Sequence, residues 1–426
     1  MTNIRRLKST PDKWVVCAIW LFMMGWITVG FSVYDVGKYS ILLLYIAAVP
    51  FFKWISSRSL SFLILPSVST FFSIFVGLLK HVSVMSIVSQ AALQLLALVF
   101  AAGVAAIDWR KYLFTLTKIM VVISGPLVLY SCYQVVMRPI HGAYSFLPVT
   151  NQQAYAIGGL QRGWGKDPFT RASSVFVEPS DYGYYCLWLL VLGLSASKGV
   201  WRYWAIGLSF VGILASQSLT GGLGVVVILL IYLAINPIST QTIRQIAIVV
   251  VFCTMSVVAI QPLMPRAFAK FTDRIEQALT LDEEADSGRV DHIPACWEIF
   301  KDAPIWGHGL ASFNSADANG IDVTTMTYAL LLMERGSVGT FFFLAPWVAL
   351  GIRSYMMLSS DAFRTPALLF TALNLYTFAT SSIVYFLPFW LSLAISASLA
   401  MKTYAPAIEL AFKWNSVDSL GEPAEA

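Results

Sequence analysis

The sequence predicts an all-α integral membrane protein with about 12 transmembrane helices and two long periplasmic loops, the second containing short helices. The first observation is composition: 58% of the 426 residues are hydrophobic and 12% are charged, whereas a soluble domain is about half apolar and a quarter charged. The second is that the apolar residues form continuous runs of about 20 residues, which suits helices better than the shorter alternating strands of a barrel. The third is the 14 tryptophans and 18 tyrosines, which are typical of aromatic belts at membrane interfaces.

The apolar runs set the predicted order of helices and loops. A bilayer core about 30 Å thick takes about 20 helical residues to cross. The runs lie near 14–33, 39–55, 60–79, 84–107, 112–136, 181–197, 201–216, 219–235, 243–261, 325–350, 364–381 and 383–401. They divide the chain into membrane helices one to five (1–137), a first long loop (138–180), helices six to nine (181–261), a second long loop (262–324), and helices ten to twelve with a tail (325–426).

Basic residues are concentrated in alternate short connections, and this predicts the orientation. One set comprises Arg5, Arg6, Lys8, Lys13, Lys53, Arg58, Arg110, Lys111, Lys198, Arg202, Arg244, Arg353, Arg364, Lys402 and Lys413. The opposite short loops offer little beyond Lys38 and Lys80. The positive-inside rule therefore places both termini in the cytoplasm and both long loops outside. Because this distribution explains the net charge of +5, no nucleic-acid partner is predicted. The five cysteines are scattered and form no metal-binding motif.

The first long loop contains a candidate anion site close to the next membrane helix. Arg171 and Glu178 lie seven residues apart, just before the run that begins at Asp181. The planar fork of an arginine suits a phosphate or diphosphate, and a glutamate beside it is a candidate general base. The alternative is that the two residues pair with each other or with lipid headgroups.

The second long loop opens with an amphipathic pattern. Phe268, Phe271, Ile275 and Leu279 are spaced by three, four and four residues, which predicts a helix with one apolar face. That helix either lies flat on the bilayer or packs on the protein as a lid. The acidic cluster that follows, at 282–286, is interpreted as a solvated connector.

A second helix is predicted between Ser287 and Asp302. Ser287 is a suitable N-cap for a helix that carries Arg289, and Pro304 disfavours helical geometry before it, so the helix should end by Lys301–Asp302. The glycines of 307–309 permit a tight turn. His308 could project from that turn into a cavity as a catalytic residue, or it could be an ordinary surface histidine.

At these residues the chain resembles the O-antigen polymerase and ligase superfamily of polytopic bacterial glycan-assembly proteins. The matching pattern in the second loop is Arg289, Trp297, Asp302, Pro304, Gly307, Gly309 and Phe313. Glu334 and Gly336 match a later glutamate and glycine of the family. Upstream, the matching segment is Arg171, Phe176, Glu178, Pro179 and Ser180. The helix count and the two long outer loops agree with the family over most of the chain.

The resemblance implies a glycosyl transfer that needs no metal or other cofactor, at the periplasmic face of the bacterial inner membrane. It implies an undecaprenyl-diphosphate-linked glycan as the donor. The acceptor is another lipid-linked repeat unit in polymerases and the lipid A–core of lipopolysaccharide in ligases. A chain-length regulator and a flippase are possible protein partners. The product would be O-antigen or another exopolysaccharide.

Site residues are expected in three roles. Arg289 and Arg171 are the leading candidates for binding the diphosphate, with Arg162 and Arg266 as weaker ones, because charge builds up on that leaving group. Either Glu178 or His308 would be the catalytic base. Sugar stacking or interfacial anchoring is expected of three aromatic residues: Trp164, Trp297 and Trp306.

Polymerase is the leading prediction among three. Ligases usually carry a His-Asn pair about nine residues before the glutamate that matches Glu334, whereas this chain has Thr325 and Met326. His308 could substitute in a ligase. The third prediction is a transporter or flippase, which twelve helices would suit. It is disfavoured because ionisable residues within the predicted spans are few, with Lys118 as the main exception.

Overall fold

The part of the chain that its computed structural model describes is mostly α-helical and contains no strands. That part is residues 13–28, 46–54, 57–141, 172–176, 179–195, 199–236, 292–313, 327–380 and 387–401, with single helical positions at 240, 244, 247, 251 and 255. The α-helices within it are α1 (Lys13–Thr28), α2 (Ser57–Leu79), α3 (Val84–Ala105), α4 (Trp109–His141), α5 (Pro179–Ser195), α6 (Val200–Ser216), α7 (Leu219–Ile235), α8 (His292–Asp302), α9 (Thr327–Tyr355), α10 (Arg364–Thr380) and α11 (Leu387–Met401).

These helices confirm the predicted all-α class, and most coincide with a predicted apolar run to within a few residues. One difference lies in the run predicted at 39–55, whose described part ends in a 3₁₀ helix, Val49–Trp54. Pro50 lies at the second position of that element. Because proline has no amide hydrogen and its ring clashes with the preceding turn, an α-helix cannot continue undistorted through it.

Several helices are long and apolar enough to cross a membrane. Four candidate spans lie at Ser61–Leu79, Val84–Ala105, Trp109–Met137 and Thr327–Tyr355. Shorter apolar helices lie at Lys13–Ile27, Val200–Ser216, Thr220–Ile235 and Pro388–Met401. At a rise of about 1.5 Å per residue, a helix of this shorter class covers most of a hydrocarbon core about 30 Å thick. The chain is therefore a multi-pass membrane protein.

Arginines meet helix ends at one end of the bundle, called the arginine end. Arg110, at the start of α4, donates to the carbonyl of Leu399 at 2.9 Å and pairs with Asp361 at 3.4 Å. Arg353, near the end of α9, donates to the carbonyl of Ala400 at 3.2 Å. The last carbonyls of a helix have no intrahelical donors and carry partial negative charge, so these contacts stabilise the end of α11.

The central helix is α5. All residues from Tyr182 to Leu194 are buried, which is the pattern of a helix enclosed by other helices on every side. It packs against α6, α7 and α10. A hydrogen bond between hydroxyl groups joins α10 to α11: the hydroxyl oxygens of Thr371 and Ser396 are 2.6 Å apart. Interhelical hydrogen bonds of this kind join helices where lipid gives no hydrophobic driving force.

The chain direction of the helices places two exposed positions at opposite ends of the bundle. His81 follows α2, and Ser360 precedes α10 at the arginine end. We expect His81→Cys and Ser360→Cys, each made in a variant without the exposed Cys17, to react with a membrane-impermeant maleimide from opposite sides of the membrane. Intact and permeabilised cells would be compared. Labelling of both positions from the same side would contradict the arrangement.

Candidate active site

The residues that follow α8 form a compact loop at the end of the bundle opposite the arginine end. Helix α8 ends at Asp302, as the position of Pro304 predicts. The chain then turns through Gly307 and Gly309, whose φ angles are +71° and +93°. These conformations favour glycine because any other residue would strain its Cβ against the backbone. Residues 303–313 are called the motif loop below, and the end of the bundle that carries them is called the loop end.

The motif loop packs into a break in α9, and this contact between loop and helix is called the dock below. At Gly336 the backbone has φ 61° and ψ −171°, which interrupts the helix. In an unbroken helix the amides of 337 and 338 would bond to the carbonyls of 333 and 334. Instead, Ser337 donates to the carbonyl of Pro304 at 2.8 Å and Val338 donates to that of Ile305 at 3.3 Å.

The two carbonyls on the other side of the break also bond to the motif loop. The carbonyl of Met333 accepts from the backbone amide of His308 at 2.9 Å, and that of Glu334 accepts from the backbone amide of Gly309 at 2.8 Å. Two intrahelical bonds are thus exchanged for four bonds between the helix and the loop. The exchange leaves none of these four helix groups without a backbone partner, as a buried backbone requires.

Glycines make the close approach possible. A Cβ on Gly307 would lie 2.5 Å from the carbonyl oxygen of Glu334, and one on Gly336 would lie 2.3 Å from that of Ile305. A Cβ on Gly309 would lie 2.2 Å from the Cα of Gly77 in α2. Backbone meets backbone at all three positions, so no side-chain movement could relieve the contact.

A buried carboxylate completes the dock. The side chain of Glu334 is 1% exposed, and its Oε1 accepts from the amide of Ala311 at 3.0 Å. Ala311 has a positive φ of 67°, so this bond holds a strained residue in place. Leu310 donates to the carbonyl of Ser73 in α2 at 2.9 Å. A carboxylate that accepts from a backbone amide makes one of the stronger hydrogen bonds in proteins.

The next residue, Arg335, is fully buried and faces two other helices. Its Nη1 donates to Ser69 of α2 at 2.9 Å, and its Nη2 donates to Gln94 of α3 at 2.7 Å. Its guanidinium carbon also lies 4.6 Å from the centre of the Phe343 ring. These contacts tie the break in α9 to α2 and α3.

His308 is the predicted catalytic residue that the structure describes. It is partly buried, and its Nε2 lies 3.0 Å from the carbonyl oxygen of Ile299. A carbonyl can only accept, so this contact selects the tautomer with the hydrogen on Nε2 and the lone pair on Nδ1. The ring packs edge-on against Phe313 at 5.5 Å. Helix α8 and the motif loop therefore fix the orientation of this imidazole.

Two of the three predicted site tryptophans lie in the described part of the chain, and they differ in their surroundings. Trp297 lies on the exposed side of α8, and its ring is 5.2 Å from that of Phe300. Trp306 is also half exposed, and its ring is 5.1 Å from Phe72 of α2. Sugar stacking by either residue remains a prediction.

A short buried segment, 172–176, also lies at the loop end. Gln134 of α4 holds it: Oε1 accepts from Ser173 at 3.2 Å and from Ser174 at 2.8 Å, while Nε2 donates to the carbonyl of Ser174 at 3.0 Å. Ala172 donates to the carbonyl of Ala215 at 3.1 Å. In the sequence, this segment lies between Arg171 and Glu178.

The remaining predicted site residues lie outside the described part of the chain, and their roles stay predictions. They are Arg162, Trp164, Arg171, Glu178, Arg266 and Arg289. The predicted amphipathic helix at 268–279 and the acidic connector at 282–286 lie outside it as well.

Sequence reasoning recognised Glu334 only as a match to the family and did not single out Arg335, although both lie within α9. Lys118 was expected to be the main ionisable residue within a span, but Glu334 and Arg335 are ionisable residues buried inside α9. Their position in an apolar run was a visible signal, because ionisable residues within spans are rare and usually have a function. Gln134 gave no comparable signal.

The fold and the loop end define a multi-pass membrane protein in which the motif loop packs into a broken helix. Residues 204–344, which run from within α6 to beyond the break in α9, match a family model described as O-antigen ligase. This match confirms the resemblance to the O-antigen polymerase and ligase superfamily, without separating its two branches. No curated protein and no solved structure matches the chain.

The bond from Ala311 to Glu334 predicts a difference between two substitutions. Glu334→Gln keeps an oxygen acceptor, whereas Glu334→Leu leaves a buried amide unpaired at a cost of about 1–3 kcal/mol. We therefore expect the leucine variant to unfold at a clearly lower temperature in detergent than the glutamine variant. Glu298→Leu, at a side chain that is 71% exposed, is the control. An equal fall in unfolding temperature in both Glu334 variants would show that Glu334 does not stabilise the protein through this hydrogen bond.

The contact between Gly309 and Gly77 predicts that Gly309→Ala is destabilising. The new Cβ would meet backbone at a positive φ, and such strain costs about 1–3 kcal/mol. We expect a lower unfolding temperature and faster proteolysis at the motif loop. Gly222→Ala is the matched control, because nothing lies within 4 Å of a Cβ built there. Equal behaviour of the two alanine variants would contradict the docked geometry.

Proposed function

We propose that the protein polymerises lipid-linked oligosaccharides. In this proposal it transfers a glycan from an undecaprenyl-diphosphate donor to a sugar of another lipid-linked repeat unit, at the periplasmic face of the bacterial inner membrane. The superfamily match supports polymerase or ligase activity in general. The arginine end would face the cytoplasm, as the positive-inside rule predicts.

The observation that carries the choice of polymerase is the pair Thr325 and Met326. These residues stand where ligases of the superfamily usually have histidine and asparagine. Ligation to lipid A–core is the second candidate, because the matching family model is itself described as O-antigen ligase. Under ligation, His308 would substitute for the missing histidine.

The proposed reaction is a displacement at the anomeric carbon of the donor. The acceptor hydroxyl oxygen forms a bond to that carbon as the bond from the carbon to the diphosphate oxygen breaks. The electron pair leaves with undecaprenyl diphosphate, and a base takes the hydroxyl proton. Arg289 and Arg171 are proposed to stabilise the charge on the leaving group, assisted by Arg162 and Arg266.

Two residues are proposed as alternatives for the base. His308 is supported by its fixed ring, whose bond to Ile299 leaves the lone pair at Nδ1. Glu178 is supported by the segment that precedes it in the sequence, which Gln134 holds at the loop end. Trp164, Trp297 and Trp306 are proposed sugar or interface contacts. A chain-length regulator and a flippase are proposed partners.

The proposal predicts the behaviour of purified protein given a lipid-linked repeat unit. We expect a ladder of longer lipid-linked glycans, and Arg289→Ala should lower its rate by about 10²-fold or more. Arg289→Lys should restore little, because lysine cannot make the bidentate contact. Arg244→Ala removes an arginine at an exposed position and is the control for loss of charge. Chain length would be measured by gel electrophoresis.

Two outcomes would overturn the proposal. Glycan that appears on added lipid A–core, with no longer lipid-linked chains, would identify a ligase. A wild-type ladder from Arg289→Ala would remove Arg289 from the mechanism. Each variant must accumulate in the membrane at the level of the unsubstituted protein, so that a loss of activity is not a loss of protein.

A further inference from the structure

The motif loop runs down the side of a membrane helix instead of ending above it. Gly309 lies against Gly77, Leu310 bonds to Ser73, and the ring of Trp306 contacts that of Phe72. Phe72 is seven residues before the end of α2 at Leu79. At about 1.5 Å per residue, the loop reaches about 10 Å below the end of that helix.

Helix α2 is one of the strongest span candidates, and a polar turn marks its end. Its apolar window, Ser61–Leu79, has a mean hydropathy of 2.1, and Lys80 and His81 follow it. If Leu79 is near the membrane surface, the level of Phe72 falls within a hydrocarbon core about 30 Å thick.

A loop at such depth needs a partner within the protein for every backbone amide, because hydrocarbon offers none. All six amides from 307 to 312 have one. Their acceptors are, in order, the carbonyls of Ala303, Met333, Glu334 and Ser73, the carboxylate of Glu334, and the carbonyl of Gly309. A loop in water would not require this run of six bonds.

The outward side of the loop is apolar. Ile305 is 51% exposed and Trp306 is 52% exposed. Trp306 contacts Phe72 of α2. Phe72 adjoins the exposed face of that helix, where Phe71, Phe75 and Leu78 are spaced by four and three residues and so share one side. The exposed surface is therefore continuous from the membrane helix onto the loop.

We propose that the motif loop is re-entrant, with Ile305 and Trp306 in contact with the acyl chains of the bilayer leaflet at the loop end. Continuity with the lipid-facing side of α2 identifies the occupant as bilayer hydrocarbon. Trp306 is then an anchor in lipid, and the same loop carries His308, two residues on. The inference depends on the membrane location and is independent of whether the enzyme polymerises or ligates.

Fluorescent labelling of matched positions tests the inference. Trp306→Cys, Phe75→Cys and Lys301→Cys replace side chains of similar exposure, at 52%, 57% and 51%. Each full-length variant would carry a bimane label in vesicles of phosphatidylcholine and phosphatidylglycerol without lipid-linked glycan. The signal of the unsubstituted protein is subtracted. One set of vesicles contains phosphatidylcholine with a nitroxide high on the acyl chain, and the other receives iodide in the aqueous phase.

We expect the label at 306 to behave like that at 75. Nitroxide lipid should quench it several-fold more than the label at 301, and iodide several-fold less. Quenching like that at 301 would place the loop in water and overturn the inference. Protection at 306 from both quenchers would also overturn it, because a protein partner or a second copy would then cover the surface.

Discussion

The structure at the loop end depends on an exchange of backbone hydrogen bonds between the motif loop and α9. The break in α9 frees two backbone donors and two acceptors from their intrahelical bonds, and unpaired groups of this kind are costly away from water. Here Gly336 breaks the helix, and Pro304, Ile305, His308 and Gly309 supply the missing partners. The loop cannot shift along α9 without losing several bonds together, so the exchange fixes the register of the loop as well as its position.

The residue that follows the buried carboxylate stabilises the break from the other side. Glu334 bonds to the motif loop, whereas Arg335 bonds to Ser69 and Gln94 on α2 and α3. A buried guanidinium is expensive unless its donors are satisfied, and its value lies in geometric specificity more than in net stability. Neighbouring residues thus point to different partners, and the broken helix is held between the loop and the bundle.

Helix positions were largely predictable from the sequence because each is a local property of an apolar run, and α8 ends before Pro304 for an equally local reason. The dock was not predictable. Its contacts join residues 23 to 266 positions apart, and nothing local indicates which carbonyl will receive the amide of Ser337. The sequence identified Gly336 only as a position that matches the family. The structure shows why glycine is needed there, because a Cβ would collide with the carbonyl of Ile305. The 3₁₀ turn at Pro50 was visible as a proline in an apolar run.

The dock also distinguishes the motif residues that are needed for packing from those that are candidates for catalysis. Gly307, Gly309 and Gly336 are required where backbone touches backbone, and Glu334 is committed to an amide. The three glycines have no side-chain group with which to move a proton or bind a diphosphate, and one carboxylate oxygen of Glu334 accepts from the amide of Ala311. Of the predicted catalytic residues, His308 is the one that the structure describes, and its ring orientation is fixed by the contact with Ile299.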